Sequence, residues 1–181
     1  MALNKGYLTA KTDKQSDEVY TPQYAVKPLL HFLPQCPITI WCPFDTEDSE
    51  YVKLFKKYRY KVIATHIDNG QNFFEYEPDE HYDFIISNPP FSIKDMILKR
   101  LYELDKPYAM LLPVPTLQGQ KRFPYMKDCQ AIIFDKRINY FKNKETKEIQ
   151  KGISFGSFYL CRDFLEESYG NLVFYELEVP K

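Results

Sequence analysis

The chain has 181 residues, 44% of them hydrophobic and 17% aromatic, a composition that supports one sizeable core and excludes an extended disordered chain. A formal net charge of −1 excludes a globally cationic surface, and no apolar run approaches the roughly 20 residues that span a bilayer. No signal pattern opens the chain, and Cys36, Cys42, Cys129 and Cys161 show neither CxxC spacing nor histidine pairing; this predicts reduced thiols in a cytoplasmic protein with no metal site and no membrane partner.

Met1 to Asp17 is polar and lacks periodicity, which predicts a flexible arm over residues 1–16 ahead of a single domain over 17–181. Thr21 and Pro22 have the chemistry of a helix N-cap and first turn, and Ala25, Leu29, Leu30 and Leu33 continue as a helical stripe to Pro34. Ile38 to Cys42 reads as a buried strand broken by Pro43. Ser49 to Tyr58 reads as a helix and Lys61 to Ile67 as a second strand. After a polar loop, Tyr82 to Ser87 is a third strand, Ile93 to Leu104 a helix, and Tyr108 to Leu112 a strand ending at Pro113. Ala131–Phe134, Ile138–Phe141, Phe155–Cys161 and Leu172–Leu177 are further strands. Strands alternate with helices through the first 130 residues and then follow one another directly. The expected fold is therefore α/β, a mostly parallel sheet with antiparallel addition at one edge.

Asp83-Phe84-Ile85-Ile86-Ser87-Asn88-Pro89-Pro90-Phe91 is the run that carries chemistry. Two prolines stop the strand at once, since proline lacks the N–H and fixes φ. A rigid turn then holds an amide, a carbonyl and an aromatic ring at a strand's carboxyl end, where open α/β sheets bind ligands. A plain strand-ending turn is the structural alternative. Ser87 to Phe91 resembles the (S/N/D)-P-P-(Y/F) motif of amino-methyltransferases in its N6-adenine form, and the whole chain resembles a compact, phage- or prophage-type DNA adenine-N6 methyltransferase. The resemblance implies a Rossmann-like methyltransferase fold, S-adenosylmethionine as cofactor and DNA as partner. Asn88, Pro89, Pro90 and Phe91 become the catalytic residues. The adenine N6 lone pair is delocalised into the ring, so acceptors for both amine hydrogens, Asn88 and the Pro89 carbonyl, favour pyramidal nitrogen, while Phe91 stacks on a flipped base.

The cofactor half follows by the same resemblance. Tyr20, Thr21 and Pro22 match a Thr-Pro segment that lines the methionine end. Cys42-Pro43-Phe44-Asp45-Thr46-Glu47-Asp48 stands where Asp-Pro-x-x-Gly-x-Gly is usual. Pro43 matches and Phe44 accompanies it. Asp45 or Glu47 is the candidate for the cationic amine, with Asp48 or Ser49 as an ordinary helix cap the alternative. His66 stands near the place of the ribose-binding acid, and Asn72-Phe73 replaces Asp-Phe at the adenine ring. Asn88 borders both ligands. Only about fifteen residues separate Ile67 from Tyr82, so the helix and third strand that the family places there are expected to be trimmed.

From Leu117 to Lys151 nine basic residues face four acids, a local excess suited to phosphates. Lys121, Arg122, Lys136 and Arg137 are its candidates for nucleic-acid contact, a solvated loop being the alternative. Lys136 to Phe141 resembles the Arg-Ile-x-Phe strand of phage adenine methyltransferases. Other substrates for the same motif are RNA and protein glutamine. The lost glycines leave open a binding protein without chemistry.

Overall fold

A computed structural model of the chain describes residues 19–143, 145–150 and 154–180. The arm expected over 1–16 lies outside the described residues, as do Asp17, Glu18, Lys144 and Lys151.

Seven strands form one sheet: β1 (Thr39–Cys42), β2 (Lys61–Ala64), β3 (Phe84–Ser87), β4 (Tyr108–Pro113), β5 (Gln130–Phe134), β6 (Ser157–Arg162) and β7 (Leu172–Tyr175). Their order is β2-β1-β3-β4-β6-β5-β7. β2, β1, β3 and β4 are mutually parallel, in a register that sets Trp41 opposite Ile63 and Ile85. β6 runs antiparallel to both β4 and β5, while β7 is parallel to β5 at the edge. This is the expected Rossmann-like α/β sheet, with its reversed strand inside the sheet.

Alternation along each strand divides the core in two. Ile40 and Cys42 of β1 face one side with Ile86, Ala109, Leu111 and Tyr159, and Trp41 faces the other with Ile85, Met110, Leu112 and Leu160. Helix α3 (Glu50–Lys57) covers the first face with Tyr51, Val52, Leu54 and Phe55. Helix α4 (Lys94–Leu104) covers the second with Ile97, Leu98 and Leu101. The Ser49 hydroxyl caps α3 by accepting from Val52 N–H at 3.2 Å.

The helix expected from Pro22 divides into two single turns, α1 (Gln23–Val26) and α2 (Leu29–Phe32). Pro28 between them has no N–H to continue the ladder. Pro22 rather than Thr21 holds the N-cap position, and no side chain caps α1. β2 ends at Ala64 because His66 caps a 3-10 turn over Ile67–Asn69. Between that turn and Phe84 no helix or strand forms, so the third strand of the family pattern is absent here. Ile138–Phe141 makes only isolated bridges, Phe141 pairing with Tyr20 and with Ile149. The link from β4 to β5 is covered by short 3-10 turns where a doubly wound fold ordinarily places a helix.

A reciprocal clip closes the start of the central pair. Thr39 N–H donates to Asp83 Oδ2 at 2.7 Å, and Asp83 N–H donates to the Thr39 carbonyl at 2.8 Å. Burial works against ionisation of Asp83, but the Thr39 N–H and the His81 ring outweigh it and hold the carboxyl below its ordinary value. A depressed carboxyl adds stability above its unfolded value and loses it as pH falls through the folded one. Urea unfolding between pH 6 and 2 should therefore show Asp83→Asn less stable at pH 6 by about 1 kcal/mol. The gap should close below about pH 4. An equal gap at every pH would rule out the charged clip.

Candidate active site

The chain passes from β1 to β2 on one side of β1 and then to β3 on the other. The two crossovers it starts, through α3 and α4, lie on opposite faces. Loops leaving the carboxyl ends of β1 and β3 must therefore diverge, and the crevice between them is where such sheets hold ligands. The Asn-Pro-Pro-Phe turn leaves β3 there, and Pro43 to Asp45 leaves β1 there.

The two loops are joined. Ser87, fully buried at the last position of β3, donates its hydroxyl to Asp45 Oδ2. Asp45 is only 8% exposed, so its carboxylate lies within the crevice wall. Beneath it, Cys42 is buried, and its thiol is pushed well up by desolvation and by the Asp45 charge. Phe44 packs on Phe73 with ring centroids 4.9 Å apart, and Phe73 in turn meets Trp41 at 5.4 Å. Phe73 is 3% exposed, an enclosed core ring.

Asn88 is the pivot of the β3 turn. Its Nδ2 donates to the Val19 carbonyl at 3.2 Å. A carbonyl can only accept, so the amide nitrogen is committed to Val19 and the amide oxygen is turned away from it. Asn88 Oδ1 is buried and has no hydrogen-bond partner among the described residues. Unpaired buried acceptors are costly and persist where something else satisfies them. Pro89 is buried and Pro90 half-buried, with extended backbone at Pro90. Phe91 is half-buried, its ring edge-on to Phe155 at 5.6 Å and to Tyr140 at 6.4 Å.

The Tyr20-Thr21-Pro22 segment is brought against this turn. Tyr20 exchanges two backbone hydrogen bonds of 2.9 Å with Phe141. Thr21 and Pro22 are buried, and the Thr21 hydroxyl, like that of Thr116 in the turn after β4, is buried without a partner among the described residues. The Tyr159 hydroxyl donates to the Ala25 carbonyl at 3.0 Å and lies 2.8 Å from the Tyr51 hydroxyl. Desolvation pushes both tyrosines well above the ordinary value; Tyr159 raises Tyr51 further, whereas the hydrogen bond with Tyr51 works in the opposite direction on Tyr159 without offsetting its burial. They remain protonated struts rather than proton-transfer groups.

The remaining expected residues are placed less directly. His66 Nδ1 accepts from Asp68 N–H at 3.2 Å and lies 3.3 Å from Asp68 Oδ2, so that nitrogen serves its own turn. Asn72 Oδ1 accepts from Phe74 N–H at 3.2 Å, which leaves one lone pair for a ligand. Lys121, Lys136 and Arg137 are exposed, and Lys136 Nζ lies 3.0 Å from Asp135 Oδ2. Arg122 is 14% exposed and paired with Asp95 of α4 at 3.1 Å.

Sequence reasoning did not assign the Val19 carbonyl, Ser87, Tyr140, Phe155 or Thr116. A small polar residue closing an apolar strand was the visible signal for Ser87. The Val19 carbonyl meets Asn88, and Tyr140 and Phe155 meet Phe91, only through pairings across the fold. Among the described residues no three His, Cys, Asp or Glu side chains gather as a metal site, and no helix is long and apolar enough to cross a membrane.

No protein-family model matches the chain, and no curated protein matches it in sequence. Among solved structures it is similar to a Listeria monocytogenes protein provisionally described as a class I S-adenosylmethionine-dependent methyltransferase. The identity is 12%, the match covers 97% of this chain and 70% of that one, and the TM-score is 0.48.

Proposed function

We propose that the protein transfers a methyl group from S-adenosylmethionine to the N6 amine of adenine in DNA. The observation that carries this reading is Asn88 Oδ1, a buried acceptor without a partner among the described residues, in an Asn-Pro-Pro-Phe turn at the switch point of the sheet. An exocyclic amine has two N–H donors, and Asn88 Oδ1 with the Pro89 carbonyl supplies two acceptors. Holding both hydrogens pulls the lone pair out of conjugation and aims it. No strong base is required, because the proton leaves to water after the methyl has moved. Rate then comes from positioning, which can contribute several powers of ten.

The residues present fit a cationic methyl donor. The Asp45 carboxylate is an acceptor on the loop after β1, and the Thr21 hydroxyl is a buried acceptor in the segment that Asn88 holds through Val19. When bound, S-adenosylmethionine supplies an electrophilic methyl on a sulfonium and leaves as a neutral thioether. Asp45 would hold the donor's ammonium while Ser87 keeps the carboxylate oriented.

A second reading, binding without chemistry, has one observation in its favour. The loop after β1 carries Thr46 and Asp48 where close backbone approach favours glycine. Calorimetric titration with S-adenosylmethionine, followed by transfer of tritiated methyl to unmethylated DNA, RNA and a glutamine peptide, separates the two. Saturable binding and label in DNA adenine are expected. Absence of binding refutes the enzyme reading, and label confined to RNA or peptide moves the substrate.

A further inference from the structure

We infer that the segment after β4, residues 114–127, forms a stacking seat for an unpaired nucleobase beside the target crevice, so that the protein grips single-stranded nucleic acid through Phe123. The inference rests on the nucleic-acid reading of the substrate.

The observations are four. First, large apolar side chains here face solvent: Phe123 is 62% exposed and Leu117 46% exposed. The chain covers the second sheet face only with 3-10 turns in this stretch, and beneath them lies a groove of about 190 Å³ lined by Leu117, Gly119, Phe123, Met126, Ala131 and Leu160. That volume is of the size of one base.

Second, the groove offers shape and apolar surface rather than hydrogen-bond readout. Its two other lining side chains are already engaged. Gln130 accepts from Phe164 and Leu165 N–H at 3.1 and 2.9 Å and donates to the Leu165 carbonyl at 2.8 Å. The Cys129 thiol lies 3.1 Å from the Tyr108 hydroxyl. A seat with no free polar group accepts any base face, as sequence-tolerant single-strand sites do.

Third, the charge is that of a polyanion's partner. Lys121, Arg122 and Lys127 fall in 114–127, which contains no acid. Lys121 and Lys127 are exposed. The Arg122 guanidinium lies across Gly119, where a Cβ would come within 2.3 Å of Nε. Its pairing with Asp95 is misaligned for hydrogen bonding, so Nε and Nη1 have no acceptor among the described residues. Arg122 is thus enclosed against Asp95 and Gly119, and the exposed cations open to a phosphate backbone are Lys121 and Lys127.

Fourth, the position is adjacent to the crevice. β4 pairs with β3 in parallel, Ser87 opposite Met110, so the turn after Pro113 rises beside the turn after Ser87. A strand of nucleic acid with one base held at Asn88 passes the groove within a few nucleotides.

The test uses fluorescein-labelled (dT)12, which contains no adenine, and anisotropy at low salt with the full chain. Wild type should bind. Phe123→Ala should weaken binding roughly 5- to 150-fold, the contribution of stacking one base. Phe123→Trp should bind at least as well as wild type, and Phe174→Ala, an aromatic 76% exposed on β7, should change nothing. Lys121→Gln should lower the slope of log affinity against log salt by about 0.7. No wild-type binding, equal binding by Phe123→Ala, or an equal loss in Phe174→Ala would overturn the seat and leave the groove to an apolar peptide. Because the probe cannot be methylated at N6, this result stands whichever way the methyl-transfer assay falls.

Discussion

Replacing Asn88 by alanine should lower methyl transfer to DNA by about 10²- to 10³-fold, the usual scale for deleting one preorganised polar contact to a reacting group. S-adenosylmethionine affinity should stay within about threefold, since the Asp45–Ser87 pair is untouched and alanine removes the Val19 contact without placing a repelling group there. The fall should lie in kcat, because the lost contact strengthens as the amine becomes pyramidal. Asn88→Asp sharpens the assignment. Aspartate keeps an acceptor toward the amine but has no N–H for the Val19 carbonyl, 3.2 Å away in wild type. Two oxygens facing each other would push the 19–22 segment outward. That variant should lose cofactor affinity as well as rate. Undiminished transfer in Asn88→Ala would refute the role, and unchanged cofactor affinity in Asn88→Asp would refute the clasp.

Trp41→Ala should be the most destabilising single change, by about 3–5 kcal/mol, the cost of deleting a large buried aromatic. Trp41 is fully buried in β1, between Phe73 at 5.4 Å and Tyr82 at 5.1 Å. Its indole N–H donates to the Thr65 hydroxyl at 2.8 Å, and Thr65 is itself 1% exposed. Alanine opens a cavity and strands that hydroxyl in the interior. Trp41→Phe keeps most of the volume and should cost about half as much. Urea midpoints should fall in that order at constant m. Because Trp41 supports Phe73 and Phe73 supports Phe44, cofactor affinity should fall alongside stability. A midpoint within 0.3 M of wild type for Trp41→Ala would contradict the packing.

What could be read from the sequence was local in cause. Apolar runs of four to six residues bounded by proline marked β1, β3 and β4, because a strand buried on both faces needs continuous apolar side chains and proline ends its ladder. Ser49 was legible as a cap, and Asn88 to Phe91 as a rigid turn, for the same reason. The short interval after Ile67 left little room for another helix and strand, and none forms there. The split of the first helix at Pro28 has a local cause too, because the missing N–H outweighs the apolar stripe that runs through it.

Tertiary structure decided what depends on pairing between distant residues. Ser87 and Asp45 lie 42 positions apart, and Asn88 and Val19 lie 69 apart. No periodicity predicts that one carboxylate is held by a strand-end hydroxyl, or that an amide nitrogen is committed while its oxygen is left without a partner among the described residues. The strand order puts β1 beside β3, and that adjacency alone creates the crevice. Sequence thus marked Asn88 to Phe91 as a rigid polar turn at a strand end. The fold determined which of their atoms remain available, because hydrogen-bond partners are consumed in space and not along the chain.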